Sequence, residues 1–349
     1  MKKIEETFMQ EELLYWYDNE YILLPWRQDS DPYKIWVSEI MLQQTRVEAV
    51  IPYFERFIKR LPTVRDLAEI KEDELMKLWQ GLGYYRRVKN MQVAAKQIME
   101  DYGGTLPKTK KELMSLKGIG DYTAGAIASI AYGEVAPAVD GNILRIFARL
   151  FGVKDNIRNT KVRKHLGQLY EPYIPKERPG DFNQALMDLG RKICIPSKNP
   201  RCEECPLFSK CYTYKHNLQS SIPFLEKKKA RRKEKKTILV FEKDGHIWIR
   251  KRPKEGLLSS LYEYTTMDGH LSIEEVEETF TVANETISTM PSSKHIFSHI
   301  EWDMIGYYVK TNIAKVDDEG MYVSLSDIKN TYSIPTAFQA YTKWLLKKR

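Results

Sequence analysis

Two glycines separated by one residue, Gly118 and Gly120 in LKGIGDYTAGAI (116–127), constrain this chain more than any other feature. They end the run KKELMSLKGIG and stand just before DYTAGAIASIAYG, both helical in pattern. A turn that tight folds two helices back as a hairpin, over about residues 112–131. Glycine accepts the backbone angles of such a turn and permits close approach of another group. The leading N–H groups of the second helix lack intrahelical acceptors and, with the helix dipole, form a small anion site. A glycine C-cap with no ligand has the same appearance. Further on, Asp140 in VDGNILR opens another helical run. As an N-cap it would meet N–H donors and a dipole that favour an ionised carboxylate.

The rest of residues 1–217 also reads as helix. DPYKIWVSEIMLQQTRVEAV offers Asp31 as N-cap and Pro32 as first helical residue. RRVKNMQVAAKQIMEDYGG stops on a glycine pair. Short helices with short connections predict an all-α domain. Near residue 220 the pattern changes. SSIPFLEKKKARRKEKK predicts a basic linker over 218–236, and TILVF-EKDG-HIWIRKR predicts two strands about an Asp-Gly turn. Alternation in KHIFSHIEWDMIGYYVK and a closing helix in PTAFQAYTKWLLKK complete an α+β domain over 237–349. A chain of 349 residues accommodates both.

Charge discriminates less than it first suggests. The net charge is +8, but the run 227–236 alone holds eight basic residues and one acid. Outside it the chain is close to neutral, so basicity by itself selects no nucleic-acid partner. No apolar run is long enough to span a bilayer, and MKKIEETFMQEELLYWY lacks the apolar core of a secretion signal. The expectation is a cytoplasmic protein with no membrane partner.

All four cysteines, Cys194, Cys202, Cys205 and Cys211, fall in one loop with spacing C-x7-C-x2-C-x5-C. In a reducing compartment such clustering points to metal. Zinc sites usually pair two C-x2-C units, and one is present here. Four thiolates in one compact loop suit a [4Fe–4S] cluster. Elsewhere, helical spacing around SEIMLQQT puts Ile35, Glu39, Leu42 and Arg46 on one stripe. A glutamate among apolar neighbours is protonated, which suits a general acid, or paired, for example with Arg46.

LKGIGDYTAGAIASIAYGEVAPAVDGN resembles the helix–hairpin–helix-plus-aspartate signature of DNA glycosylases in the endonuclease III superfamily. LPWR (24–27), SEIMLQQTRV (38–47) and GLGYYRR (81–87) narrow the resemblance to the MutY-type adenine DNA glycosylases, over essentially the whole chain. It implies a multidomain fold: an all-α glycosylase domain with an iron–sulfur loop (194–211), then an α+β MutT/Nudix-like domain. The family's first cysteine gap holds six residues, whereas CIPSKNPRC has seven between its cysteines. RKRPKEGLLSSLYEY resembles the MutT-like domain, but SIEEVEETF lacks the Arg-Glu core of a pyrophosphate-hydrolysing box.

By position, the resemblance implies that Glu39 protonates adenine N7 and that Asp140 stabilises or traps the sugar cation. Asn142 would orient Asp140 or a water. Tyr122 stands where bifunctional relatives carry a lysine; a phenol forms no imine, so a monofunctional enzyme without lyase chemistry is expected. Trp26, Arg27, Leu42, Val47 and Gln184 would surround the flipped adenine, with Gln44 and Tyr84 wedged into the stack. Gly118 and Gly120 would meet phosphate, as would Lys198 and Arg201 of the cysteine loop. Phe297, Ser298 and His299 match the loop that reads 8-oxoguanine. Oxidation gives that base an N–H at N7, which the Ser298 hydroxyl can accept; a satisfied rather than unpaired group is worth roughly 1–3 kcal/mol. The implied partner is duplex DNA with adenine opposite 8-oxoguanine or guanine, bound by a nucleoid-associated monomer. Two rivals remain: a relative that removes thymine from G·T mispairs, and a non-catalytic iron–sulfur module that only marks lesions.

Overall fold

The computed structural model describes residues 4–226, 230–281 and 286–348. Two compact units make up the chain: Met1–Glu69 with Lys89–Lys227, and Ile70–Val88 with Lys228–Arg349. Helices run in chain order as α1 (Glu6–Glu20), α2 (Pro32–Leu42), α3 (Val47–Arg60), α4 (Val64–Glu69), α5 (Glu72–Trp79) and α6 (Arg86–Asp101). They continue as α7 (Lys110–Leu113), α8 (Asp121–Tyr132), α9 (Gly141–Phe151), α10 (Thr160–Tyr170), α11 (Pro179–Lys192) and α12 (Tyr212–Lys215).

In the helical unit, α2 begins as its sequence predicts: Pro32 is its first residue and the Asp31 side chain accepts from Tyr33 N at 2.8 Å. It ends at Leu42, and the chain turns through Gln44 at φ 60° before α3 begins. One predicted run is therefore two helices. The hairpin follows the sequence more closely. Helix α7 is one turn closed by a Thr109–Glu112 capping box, and Gly118 takes φ +81°. A Cβ at Gly118 would lie 2.7 Å from the Asn90 Cβ, so this position must be glycine. Helix α9 starts at its Asp140 cap and stops at Gly152 in a left-handed conformation. Its Ile143, Ile146, Phe147 and Leu150 form one core with Phe182, Ala185, Leu186 and Leu189 of α11 and Met9, Leu13 and Tyr17 of α1. That packing fixes the helix starts from which the site is built.

The second unit holds strands β1 (Arg232–Lys243), β2 (His246–Lys251), β3 (Tyr262–Glu263), β4 (Thr265–Asp268), β5 (Thr286–Ile296), β6 (Ile300–Lys310) and β7 (Gly320–Ser324). Helices α13 (Ile273–Phe280), α14 (Leu325–Asn330) and α15 (Gln339–Lys347) accompany them. The sheet is mixed: β1 runs antiparallel to β2 and β4 and parallel to β6. Ile238 and Val240 join Trp302, Phe338, Tyr341 and Leu345 on one face; Leu239 and Phe241 join Val276 and Phe280 on the other. Cover on both faces explains why 237–241 is apolar almost without alternation. Asp244 and Gly245 both take positive φ, 49° and 78°, the hairpin turn expected from Asp-Gly.

Two assignments differ from the sequence reading. Residues 232–236 of the expected linker are strand, because β1 pairs with β6 from Arg232↔Ile300 onward and backbone pairing is indifferent to side-chain charge. Residues 227–229 of the basic run lie outside the described residues. Residues 70–88, which the sequence leaves inside the helical domain, group with the sheet.

Candidate active site

A cleft of about 430 Å³ opens in the helical unit. Trp26, Arg27, Glu39, Leu42, Val47, Tyr122, Asp140, Asn142 and Gln184 all line it, from segments far apart in sequence. Arg46 lines it as well, although it caps α3 and does not extend the stripe of α2.

Glu39 is 5% exposed, and its partner is Tyr122: the phenol donates to Oε2 at 2.5 Å. Burial pushes the Glu39 carboxyl up to about 7, the Tyr122 hydrogen bond pulls it down, and neighbouring Asp140 pushes it up again. A carboxyl poised there can hold a proton and release it near neutrality. Burial, with Glu39 beside it, holds the Tyr122 phenol well above its ordinary range, so it stays a donor.

Asp140 caps α9. Its Oδ1 accepts from Asn142 N and Ile143 N, each at 2.8 Å, and Oδ2 accepts from the Asn142 amide at 2.6 Å. The sequence position suggested that such donors would keep the carboxylate readily ionised. Burial outweighs them, and the Asp140 carboxyl is raised above its ordinary value. The Glu39 and Asp140 carboxyl groups are thus both driven upward, with three hydrogen bonds opposing the shift at Asp140 and one at Glu39.

The same helix holds the cysteine loop. Buried Arg145 donates to Asn142 Oδ1 (2.8 Å), Gly190 O (2.8 Å) and Cys194 O (2.7 Å). One turn on, Arg149 donates to Cys194 Sγ (3.3 Å), Ile195 O (3.0 Å), Ser197 O (2.9 Å) and Ile222 O (2.9 Å). Cys194, Cys202, Cys205 and Cys211 line one small cavity with Ile146, Leu150, Leu189 and Leu207. Among the described residues, no three His, Cys, Asp or Glu side chains are grouped to share a single metal ion. Four thiols about one apolar space, with an N–H donor to Cys194 Sγ, are a donor set of the kind iron–sulfur clusters take.

Sequence reasoning missed part of the wall. Arg27 Nη1 lies 2.7 Å from Asp188 Oδ2, both side chains buried, and Arg191 approaches Asp188 Oδ1 at 3.4 Å. Gln184, Met187, Asp188 and Arg191 share the cleft-facing side of α11; their i, i+3, i+4, i+7 spacing is the signal that would have found them. Other expected residues lie outside the cleft. Gln44 occupies the turn between α2 and α3. Gly118 and Gly120 form the hairpin turn, and a Cβ at Gly120 would meet no atom within 4 Å. Tyr84, Phe297, Ser298 and His299 belong to the second unit, the last three as the turn between β5 and β6. Lys198 and Arg201 flank an open hollow on the cysteine loop.

The hairpin, its aspartate and the buried glutamate define a class. Residues 37–172 match the family described as HhH-GPD superfamily base excision DNA repair protein, and residues 237–344 match the NUDIX domain. An adenine DNA glycosylase of Buchnera aphidicola is 35% identical over 92% of this chain and 93% of that protein. The Mus musculus adenine DNA glycosylase is 43% identical over 60% of this chain and 42% of its own length. A solved thermostable thymine-DNA glycosylase superposes with TM-score 0.56 at 29% identity, covering 60% of this chain and 97% of that one. The chain belongs to the adenine DNA glycosylase family.

Proposed function

We propose that the chain is a monofunctional glycosylase that excises adenine opposite 8-oxoguanine or guanine in duplex DNA, acting as a cytoplasmic monomer and leaving an abasic site. One observation carries the reading: a buried glutamate held near neutrality and a capped aspartate face one cleft wide enough for a flipped base. Trp26, Leu42 and Val47 supply apolar walls; Gln184 and Arg27 supply polar edges. Glu39 gives its proton to adenine N7, so the base leaves neutral, a step that contributes about 10²–10⁴-fold. The Asp140 carboxylate faces the oxocarbenium-like sugar, and Asn142 holds its Oδ2 in place. Water completes hydrolysis, in the manner of paired carboxylates elsewhere. Tyr122 cannot form a Schiff base, so the strand is left whole.

The hairpin amides and the open space at Gly120 suit a DNA phosphate. Gln44 and Tyr84 wedge the stack, while Phe297, Ser298 and His299 read the opposite base. Cys194, Cys202, Cys205 and Cys211 would hold a [4Fe–4S] cluster that orders loop 194–211. Excision needs no electron.

Single-turnover incubation with a duplex carrying adenine opposite 8-oxoguanine, quenched with and without hot alkali, tests this. Breaks only after alkali are expected. Breaks without alkali would overturn the monofunctional assignment. Release of thymine from G·T in place of adenine would overturn the substrate.

A further inference from the structure

We propose that α5 and the loop after it form one reading head with the 297–299 turn, and that Lys77 and Gln80 are the positioning residues that set Tyr84 within it. The inference rests on the glycosylase reading and extends it to what holds the wedge.

Helix α5 is seated on the sheet unit by polar contacts along its length. Lys77 Nζ donates to Ile328 O (3.1 Å) and Tyr332 O (3.0 Å), and Gln80 Nε2 donates to Ile334 O (2.7 Å). Ser333 Oγ donates to Met76 O (3.2 Å). At the helix start, Asp73 accepts from Lys251 Nζ (2.6 Å) and from the Tyr262 hydroxyl (3.1 Å). Three of these acceptors, the carbonyls of Ile328, Tyr332 and Ile334, are spread over one segment, so the seat fixes the helix's position along that segment as well as its distance. Burial lowers the Lys77 ammonium to about 8, a cost accepted at a site with no part in the chemistry.

The loop transmits this placement to Tyr84. Trp79 Nε1 donates to Gly83 O (3.0 Å), and Arg87 Nη2 donates to Leu82 O (3.3 Å) and Gly83 O (3.2 Å). The Arg87 guanidinium also lies 5.5 Å from the Tyr84 ring centroid. Gly81 and Gly83 take positive φ, and Tyr84 itself takes φ 48°, a conformation a bulky residue holds only when its surroundings impose it. The ring is nonetheless 48% exposed. A pinned backbone that presents an open aromatic face is what insertion into stacked bases requires.

The opposite half of the head is equally fixed. Arg231 Nε donates to Phe297 O (3.2 Å), Arg232 N donates to His299 O (3.0 Å), and the Phe297 ring meets Trp302 edge-on at 4.9 Å. Between the halves, Tyr84 Oη lies 3.4 Å from Ser298 Oγ. Inserting the wedge therefore delivers Ser298 to the neighbouring base, and the opposite base is read in the same motion that unstacks it.

The test uses the full-length protein and single-turnover excision of adenine opposite 8-oxoguanine and opposite guanine. The ratio of the two rates should fall roughly tenfold in Lys77→Met/Gln80→Ala, the scale of coupling between contacting neighbours. Tyr84→Ala should lose as much, and adding Lys77→Met/Gln80→Ala to Tyr84→Ala should lose no more. An unchanged ratio in the double variant, or a loss that adds in full to that of Tyr84→Ala, overturns the positioning role while leaving the glycosylase reading intact. No adenine release by the wild type overturns both. Should the double variant fail to fold, Gln80→Ala alone, which removes one hydrogen bond, supports the same comparison.

Discussion

Tyr122 donates a hydrogen bond from its phenol to Glu39 across 2.5 Å, so the side chain that the hairpin sends into the cleft opposes the effect of burial on the buried acid. Burial raises Glu39, and this hydrogen bond, which favours the anion, restrains it. The first prediction follows from that opposition. Excision should slow as pH rises through about 7, where Glu39 loses its proton. Tyr122→Phe removes the restraint, so the alkaline limb should move to higher pH. A single-turnover pH profile of both proteins checks the direction; a downward move would remove Tyr122 from this role. Stability has the same sign. Because the folded value of Glu39 lies above its ordinary one, its contribution is full at acid pH and lost as pH rises through about 7.

Glu39→Gln keeps the size and a hydrogen-bonding edge but cannot give a proton. Excision should fall by about 10²–10⁴-fold while duplex binding persists. Near-normal excision by this variant would remove Glu39 from the acid role.

Asp188→Asn should be costly because the pair it breaks is buried. It leaves Arg27 charged and buried with its partner neutralised, a change worth roughly 3–5 kcal/mol when one member of a buried pair is lost. Urea unfolding measures it. Arg27→Met/Asp188→Leu should recover much of that stability while losing adenine excision.

The hairpin glycines should separate folding from binding. Gly118→Ala places a Cβ 2.7 Å from Asn90 and forces a left-handed residue, costing about 1–3 kcal/mol. Gly120→Ala meets no protein atom and has ordinary φ, so it should leave Tm nearly in place yet weaken DNA affinity. Equal affinity in Gly120→Ala and wild type would mean that no phosphate approaches there.

What could be read beforehand follows a physical line. Glu39, Tyr122 and Asp140, which meet in one cleft, and the four cysteines, which surround one cavity, could be singled out beforehand because each lies in a short contiguous motif. The hairpin was legible because Gly118 has no substitute. The Arg27–Asp188 pair was not, since its members are 161 residues apart and no periodicity links them. The break after Leu42 was hidden because Gln44, which takes φ 60°, is not a residue that announces a turn. The strand in the basic run was hidden for the opposite reason: its charges announce a linker, while its partner β6 is distant in sequence.

Grouping of residues 70–88 with the sheet has a consequence for how such chains can be recombined. The polypeptide passes between its two units after Glu69, after Val88 and after Lys227. A graft made at the last junction alone would keep α5 from one parent and supply the carbonyls of 328–334 from the other. A chimaera of two relatives that is to keep this seat therefore needs both segments from the same parent.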